Sequence, residues 1–278
     1  MSRRIRLGIS PCPNDTFAFH GLLTRAVDWR GLEFEISLLD IERLNEALLA
    51  NEFDVCKASF RAALEVADDV VVLPSGSALG FGVGPLLLAA APGSAPDDGR
   101  QLTLCPGRHT TAALLFDLFH PRSTRVEHVV FSEIMPRLSA GSADFGVCIH
   151  EGRFTWQRHG LGLVEDLGSR WEQESRCPLP LGGIVADRRL PREMIATVQA
   201  VVQDSLRLAL ASPEAPLPTM RAYAQEFDDD VLMRHVALYV NEWTENLGET
   251  GARALDEFSA RARAVGVGSA AALCVFGR

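Results

Sequence analysis

The sequence predicts an α/β fold of two lobes, in which the second lobe is inserted into the first through two crossing strands. Short apolar runs alternate with segments of helical spacing along the chain, which is typical of βα units on parallel sheets. Two apolar strands, at 84–89 and 181–186, look like crossings, and a self-contained βα series lies between them. We therefore expect a first lobe of residues 1–87 plus 183–278, and a second lobe of residues 88–182.

The first lobe is expected to contain four short strands, since four apolar runs each end at a polar loop or a helix start. These strands are predicted at 5–10, 32–38, 54–57 and 70–73. The first helix is expected to begin near Thr16, and two more follow at 41–50 and 60–66. Ser59 is placed to N-cap the last of these helices.

The inserted lobe repeats the alternation of strand and helix. Its strands are predicted at 102–105, 125–131 and 144–150, its helices at 111–119 and 133–140, and a turn-rich stretch extends to Cys177. The chain after the second crossing is mostly helical, with helices expected at 192–211, 216–226, 229–242 and 251–265.

Composition is that of a folded globular protein. The chain has 278 residues, 47% of them hydrophobic and 23% charged, and at roughly 150 residues per domain its length predicts about two domains. A net charge of -9, with no run of basic residues, argues against a nucleic-acid partner. The most apolar segment, 81–91, contains two glycines and a proline and is too short for a bilayer, so membrane insertion is not expected.

The cysteines and the first residues bear on location and metals. Six cysteines are scattered singly without a CxxC pair, which argues against a zinc ribbon and a disulfide framework. No His, Cys or carboxylate cluster has the spacing of metal ligands, so no metal site is expected. The N-terminal residues show no apolar stretch of secretory type, and we expect a cytoplasmic protein.

Polar residues follow four of the predicted strands, two in each lobe. These segments are 10–16, 57–59, 107–111 and 150–153. The carboxyl ends of parallel strands share one edge, so the four segments are expected to face each other across a ligand cleft. Three of them precede a helix, whose free N–H groups suit a carboxylate or phosphate. Plain N-capping is the alternative interpretation of Asn14, Ser59 and Thr110, but the convergence of all four segments on one edge favours a ligand site.

His150 is the candidate general base. It follows the apolar strand 145–149, so its side chain is expected at the rim of the cleft, and imidazole has a suitable pKa near neutral pH. Glu151 and Arg153 could orient it or the substrate. The alternative is a hydrogen-bonded structural histidine, which is the interpretation given to the other six histidines.

Lys57 is the only lysine among 27 basic residues. Codon bias toward arginine explains this, and so does a site that needs a compact ammonium, which a planar guanidinium cannot replace. On the second interpretation, Lys57→Arg harms function more than stability.

Several motifs together resemble the 1,4-dihydroxy-6-naphthoate synthase family, the lyases of menaquinone biosynthesis, from Arg6 to about Gly251. The motifs are Ser10-Pro-Cys-Pro-Asn-Asp-Thr-Phe17, Asp54-Val-x-Lys57-x-Ser59-Phe60, Leu73-Pro-Ser-Gly-x-Ala-Leu-Gly80, Gly84-Pro-Leu-Leu87, Pro106-Gly-Arg-x-Thr-Thr-Ala112, Ile149-His-Glu-Gly-Arg-Phe154 and Pro178-Leu-Pro-Leu-Gly-Gly-Ile184.

The resemblance implies a periplasmic-binding-protein-like fold of type II in a cytoplasmic enzyme of the futalosine route. It implies cyclic dehypoxanthine futalosine as the small-molecule substrate, His150 as proton acceptor and no redox cofactor, because aromatisation follows from elimination. The positions that match the family's substrate-binding residues are Lys57, Ala58, Ser59, Thr110 and Thr111. His109 stands where the family pattern has an apolar residue, and Arg61 where it has histidine.

Two other functions share the implied fold. One is a solute-binding protein of a transporter, which a signal peptide or a lipid-anchor cysteine would favour. The other is the chorismate dehydratase of the same pathway, against which the motif at 149–153 argues. For the protein itself, a monomer or weak dimer is expected.

Overall fold

A computed structural model describes residues 3–150, 152–223 and 228–278. Its strands are β1 (Arg3–Ile9), β2 (Leu32–Leu38), β3 (Val55–Ser59), β4 (Val70–Val72), β5 (Ala78–Gly80), β6 (Leu86–Ala89), β7 (Leu102–Cys105), β8 (Arg125–His128), β9 (Phe145–Cys148), β10 (Gly162–Asp166) and β11 (Leu179–Asp187).

Helices cover most of the remaining chain. They are α1 (Pro13–Ala18), α2 (His20–Leu23), α3 (Ile41–Leu49), α4 (Phe60–Glu65), α5 (Thr111–Phe119), α6 (Phe131–Ser139), α7 (Gly152–Thr155), α8 (Leu167–Ser175), α9 (Arg192–Ala211), α10 (Leu217–Tyr223), α11 (Asp229–Tyr239), α12 (Glu242–Glu245) and α13 (Gly248–Ala264), with a 3₁₀ turn at Trp156–His159.

The strands form two sheets. The first sheet has the order β2-β1-β3-β11-β4, with β5 paired to β11, and the second has the order β10-β6-β9-β7-β8. Strand β1 is parallel to β2 and β3, and β7 is parallel to β8 and β9, as the βα pattern predicts. Strands β6 and β11, which follow the crossings, run antiparallel to their neighbours because each enters its sheet from the opposite lobe. The sheets are therefore mixed and not purely parallel.

The chain passes between the sheets just before β6 and just before β11. Gly84, at the first passage, lies so close to the start of α8 that a Cβ there would be 2.2 Å from the Cα of Gly168. No side chain fits between the two backbones, so glycine is required at this point. The lobe boundaries at 87/88 and 182/183 stay a prediction.

Apolar packing joins the two sheets. One buried cluster contains side chains from both sides, among them Phe60, Phe145 and Trp171. A second cluster lies between the first sheet and α9, and a third is confined to the second sheet and α6. Each fully buried large apolar side chain contributes about 1.5–3 kcal/mol, so this shared packing stabilises the pairing of the lobes.

The first helix and the stretch before Cys177 differ from the sequence prediction. Helix α1 begins at Pro13 and not near Thr16, because proline is suited to a first helical position. The stretch predicted as turn-rich contains β10, which extends the second sheet, and α8, whose buried side includes Leu167 and Trp171.

The C-terminal helices also differ in extent. The helix predicted at 229–242 ends at Tyr239, and α12 begins after Asn241, whose side chain caps it. The helix predicted at 216–226 is observed over Leu217–Tyr223, and its last predicted residues lie outside the described ranges. Among residues 3–150, 152–223 and 228–278, no helix is long and apolar enough to span a bilayer.

Candidate functional site

A cavity lies between the two sheets at the carboxyl ends of β1, β3, β7 and β9. All four segments expected to face the cleft contribute to its wall, through Ser10, Asn14, Lys57, Ser59, Thr110, Thr111 and His150. The cavity volume of about 90 Å³ is well below the roughly 300 Å³ at which ligand pockets begin. As the structure stands, the cavity accommodates a small ligand or part of a larger one.

A buried carboxylate organises the first-lobe wall of the cavity. Asp15, 2% exposed, accepts a hydrogen bond from Ser10 Oγ at 2.5 Å and one from Asn14 Nδ2 at 3.0 Å. Lys57 Nζ lies 2.7 Å from Asp15 Oδ1 and donates also to the Gly76 carbonyl at 3.2 Å. A buried charge needs such pairing, because burial without a partner is strongly unfavourable.

The partner of Lys57 was missed in the sequence, although Asp15 lies in a quoted motif. The pairing follows from the adjacency of β1 and β3 in the folded chain, which places the loop after one strand beside the end of the other. Lys57 lines the cavity, and its ammonium is held at the cavity wall by the ion pair with Asp15.

Ser59 occupies the N-cap position of α4, but its hydroxyl makes no cap hydrogen bond. Asn45 of α3 holds Ser59 instead: Asn45 Nδ2 donates to Ser59 Oγ at 3.0 Å, and Asn45 Oδ1 accepts from Ser59 N at 2.8 Å. The neighbouring Ala58 is fully buried in the apolar core and is absent from the described cavity wall.

Both candidate threonines line the cavity from the second lobe. Thr110 Oγ1 caps α5 by accepting from Ala113 N at 3.2 Å, so the capping interpretation holds for this residue. Thr111 Oγ1 donates to the Leu181 carbonyl of β11 at 2.7 Å and ties the start of α5 to the other sheet. Thr110 is the N-cap and Thr111 the first residue of a nine-residue helix, whose first backbone N–H groups have no partner within the helix.

His109 of the second lobe contacts Glu42 and Asn45 of the first lobe. The backbone N–H of His109 donates to Glu42 Oε1 at 3.0 Å, and its Nδ1 lies 2.9 Å from the same oxygen. Asn45 Nδ2 also lies 3.3 Å from the His109 carbonyl oxygen. His109, which departs from the family pattern, thus makes a contact between the two lobes.

Arg61, the second departure from the family pattern, lies outside the cavity. It lines a separate depression with Arg108 and His109, and burial lowers the pKa of its guanidinium.

Asn45→Ala is expected to lower the free energy of unfolding by about 1–3 kcal/mol, because the buried backbone N–H of Ser59 then has no acceptor. Urea denaturation measures the change. Glu46→Ala, on the exposed face of the same helix, is the control and should stay within about 0.5 kcal/mol of the wild type. Equal changes in the two variants would contradict the assigned role of Asn45.

His150 lies at the meeting point of the two lobes. Its imidazole is half-buried, 3.5 Å through Nε2 and 3.6 Å through Nδ1 from the Cys12 sulfur of the first lobe. The edge of the ring meets Phe131 of the second lobe, with ring centroids 4.8 Å apart. Its backbone has a φ of +54°, a left-handed conformation that costs about 1–3 kcal/mol and concentrates at functional sites.

Arg153 does not orient His150. Its guanidinium donates to the Gly84 carbonyl at 2.5 Å and to Asp166 Oδ2 at 2.7 Å, so it anchors the segment after β9 to the crossing. Glu151, the other residue suggested for this role, lies outside the described residues.

His235 was assigned a structural role in the sequence, yet it lines the cavity. It is 1% exposed, its Nε2 lies 3.0 Å from Asn14 Oδ1, and its ring centroid is 6.0 Å from that of His150. Burial, and to a lesser extent the nearby His150, lower the pKa of His235 well below its ordinary value, so the ring is neutral. No local pattern marks this histidine, because only the packing of α11 against α1 brings it to the cavity.

The sequence matches a family model and named relatives over most of its length. A family model described as menaquinone biosynthesis matches residues 5–264. A relative from Thermus thermophilus, named 1,4-dihydroxy-6-naphthoate synthase, is 43% identical over 263 residues, which cover 95% of both chains. A relative of the same name from Streptomyces coelicolor is 38% identical over 269 residues, 95% of this chain and 94% of the other.

Solved structures show the same fold. Protein AF1704 from Archaeoglobus fulgidus superposes with a TM-score of 0.89 at 30% identity, over 95% of this chain and 98% of the other. The periplasmic aliphatic sulphonate-binding protein of Escherichia coli superposes with a TM-score of 0.62 at 12% identity, over 86% and 80% of the two chains. The second likeness concerns the fold alone, and together they confirm the predicted bilobal, periplasmic-binding-protein-like α/β fold.

Proposed function

This chain belongs to the menaquinone biosynthesis family, and from that premise we propose that it is the lyase that converts cyclic dehypoxanthine futalosine to 1,4-dihydroxy-6-naphthoate. Its relatives' names support an enzyme of menaquinone biosynthesis. The observation that carries the finer proposal is the cavity in which His150 meets the four strand ends.

In the proposed reaction, His150 accepts a proton from the bound substrate. The carbon–carbon bond to the ribose-derived ring then breaks, and the ribose-derived fragment leaves and takes up the proton from the His150 imidazolium. Aromatisation of the remaining ring system supplies the driving force, so the step needs no redox cofactor. The half-buried position of His150 limits solvent around the transferred proton, and its contacts with both lobes hold the ring over the cavity.

The substrate's carboxylate is proposed to bind at the start of α5, where Thr110 and Thr111 line the cavity and the first backbone N–H groups have no acceptor within the helix. On the opposite wall, Lys57 and Ser59 contact the substrate with their side chains, and a role for the buried Ala58 stays a prediction from the family resemblance. Lys57 supplies its positive charge while it stays paired to Asp15. A cytoplasmic location and a monomeric or weakly dimeric state stay predictions.

Incubation of the purified protein with cyclic dehypoxanthine futalosine tests the proposal, with 1,4-dihydroxy-6-naphthoate detected by mass. The expected result is product in proportion to enzyme, and no dehydration of chorismate in a parallel incubation. Binding of the compound without product would favour a solute-binding protein, and dehydration of chorismate would favour the sister enzyme. Either outcome overturns the proposal.

Activity is expected to survive exhaustive chelation with EDTA. Within the described parts of the chain, no group of three His, Cys, Asp or Glu side chains is placed to hold a metal ion. The rate is measured before and after chelation, and again after addition of single divalent ions. Loss of activity that one added ion restores would contradict this prediction.

A further inference from the structure

One ring nitrogen of His235 is a buried polar atom without a partner. Nε2 contacts Asn14 Oδ1 at 3.0 Å, whereas Nδ1 has no hydrogen-bond partner among the described residues. An unpaired buried polar atom is unfavourable, and in a native protein it calls for a physical explanation. This one belongs to a side chain that lines the cavity beside His150 and Tyr239.

A chain of hydrogen bonds determines which nitrogen of His235 carries the proton. The Asp15 carboxylate only accepts, so Asn14 must present its amide NH₂ to it, at 3.0 Å. The oxygen of the Asn14 amide then faces His235 and needs a donor. The neutral imidazole supplies it from Nε2–H, and Nδ1 is left as a lone-pair acceptor.

The proton stays on Nε2 of His235 because each residue in this chain of hydrogen bonds is fixed by its own neighbours. Lys57 and Ser10 bind the same Asp15 carboxylate, at 2.7 and 2.5 Å. Asn14 is 9% exposed and Asp15 2%, so water does not compete effectively for either. Burial keeps the His235 ring neutral, which preserves the free lone pair.

We propose that His235 Nδ1 accepts a hydrogen bond from a hydroxyl group of the substrate, so that His235 is a binding residue that selects a ligand carrying O–H at this point. This inference rests on the proposed function, in which the ribose-derived ring supplies such hydroxyls. A site built to pair a hydroxyl rejects analogues that lack it, because its own buried acceptor is then left unpaired.

Two amide replacements separate this role from a purely structural one. His235→Gln places its amide near Nε2, so it retains the donor to Asn14 and removes the acceptor at Nδ1. His235→Asn places its amide near Nδ1, so it retains an acceptor there and loses the contact with Asn14. His159→Gln, in an exposed position, controls for loss of a histidine.

Steady-state kinetics with cyclic dehypoxanthine futalosine and melting temperatures are measured for all three variants. For His235→Gln we expect a melting temperature near the wild type and a KM about tenfold higher or more, with a smaller change in kcat. For His235→Asn we expect a lower melting temperature and a KM below that of His235→Gln. The reverse order of KM values, or wild-type kinetics in His235→Gln, overturns the proposal.

Failure of the proposed function is distinguishable, because the wild-type protein then forms no product and the inference falls with it. Should His235→Gln fail to fold, ¹⁵N NMR of histidine-labelled His150→Asn protein, saturated with the substrate, gives a second readout. An upfield shift of the unprotonated His235 nitrogen on binding supports the hydrogen bond. An unchanged resonance overturns it.

Discussion

His150→Asn is expected to lower kcat for dihydroxynaphthoate formation by about 100-fold or more, the usual size of the loss of a general base. Asparagine has no group that can accept a proton near neutral pH. It does tolerate left-handed backbone, and the φ of +54° at this position would strain most other replacements. The fold and substrate binding should therefore be largely retained.

The measurement compares kcat and melting temperature in the variant and the wild type. His159→Asn is the matched control, since that histidine lies in the same segment and is exposed. Its turnover is expected to equal that of the wild type. Near-normal turnover in His150→Asn would remove His150 from the mechanism and leave the proposed reaction without its base.

Lys57→Met is expected to destabilise the protein by about 3–5 kcal/mol, because the variant leaves the Asp15 carboxylate buried without its cationic partner. Lys57 and Asp15 side chains are only 6% and 4% exposed, so water cannot replace the ammonium. Ser10 and Asn14 still donate to Asp15, but neither carries charge. Chemical denaturation measures the loss.

The double variant Asp15→Asn/Lys57→Met completes a thermodynamic cycle. It removes both charges, so it should be more stable than Lys57→Met alone, although it is not expected to support normal turnover. If the effects of the two single substitutions simply add, the ion pair contributes little and the prediction is wrong.

The structure also modifies the expectation for Lys57→Arg. From the sequence, this change was expected to harm function more than stability. In the structure, the ammonium lies between Asp15 and the Gly76 carbonyl, at 2.7 and 3.2 Å, and a longer, planar guanidinium cannot keep both contacts without displacing buried neighbours. Overpacking of this kind costs about 1–3 kcal/mol, so we now expect both stability and kinetics to suffer. Wild-type kinetics in Lys57→Arg would leave codon bias as the explanation for the single lysine.

The local spacing of apolar residues was sufficient to predict most of the strands and helices that position the site. Strand β2 and helices α5 and α9 begin and end where their apolar spacing predicts. The stretch before Cys177 was not predicted, because β10 is an edge strand of half-exposed residues and α8 shows its apolar side only in Leu167 and Trp171. Whether these two segments form a strand and a helix depends on the sheet and the core that they join.

The sequence by itself determined the alternation of strands and helices, the strand ends that line the cavity and, through the family motifs, the residues proposed to bind substrate. These properties depend on neighbours along the chain. Only the tertiary structure decided that Asp15 pairs with Lys57, that Asn45 and Glu42 reach across to His109, and that His235 comes to the cavity from α11. Such contacts join residues far apart in sequence. The packing of helices and sheets determines which residues meet, and the local spacing of apolar residues does not predict that packing.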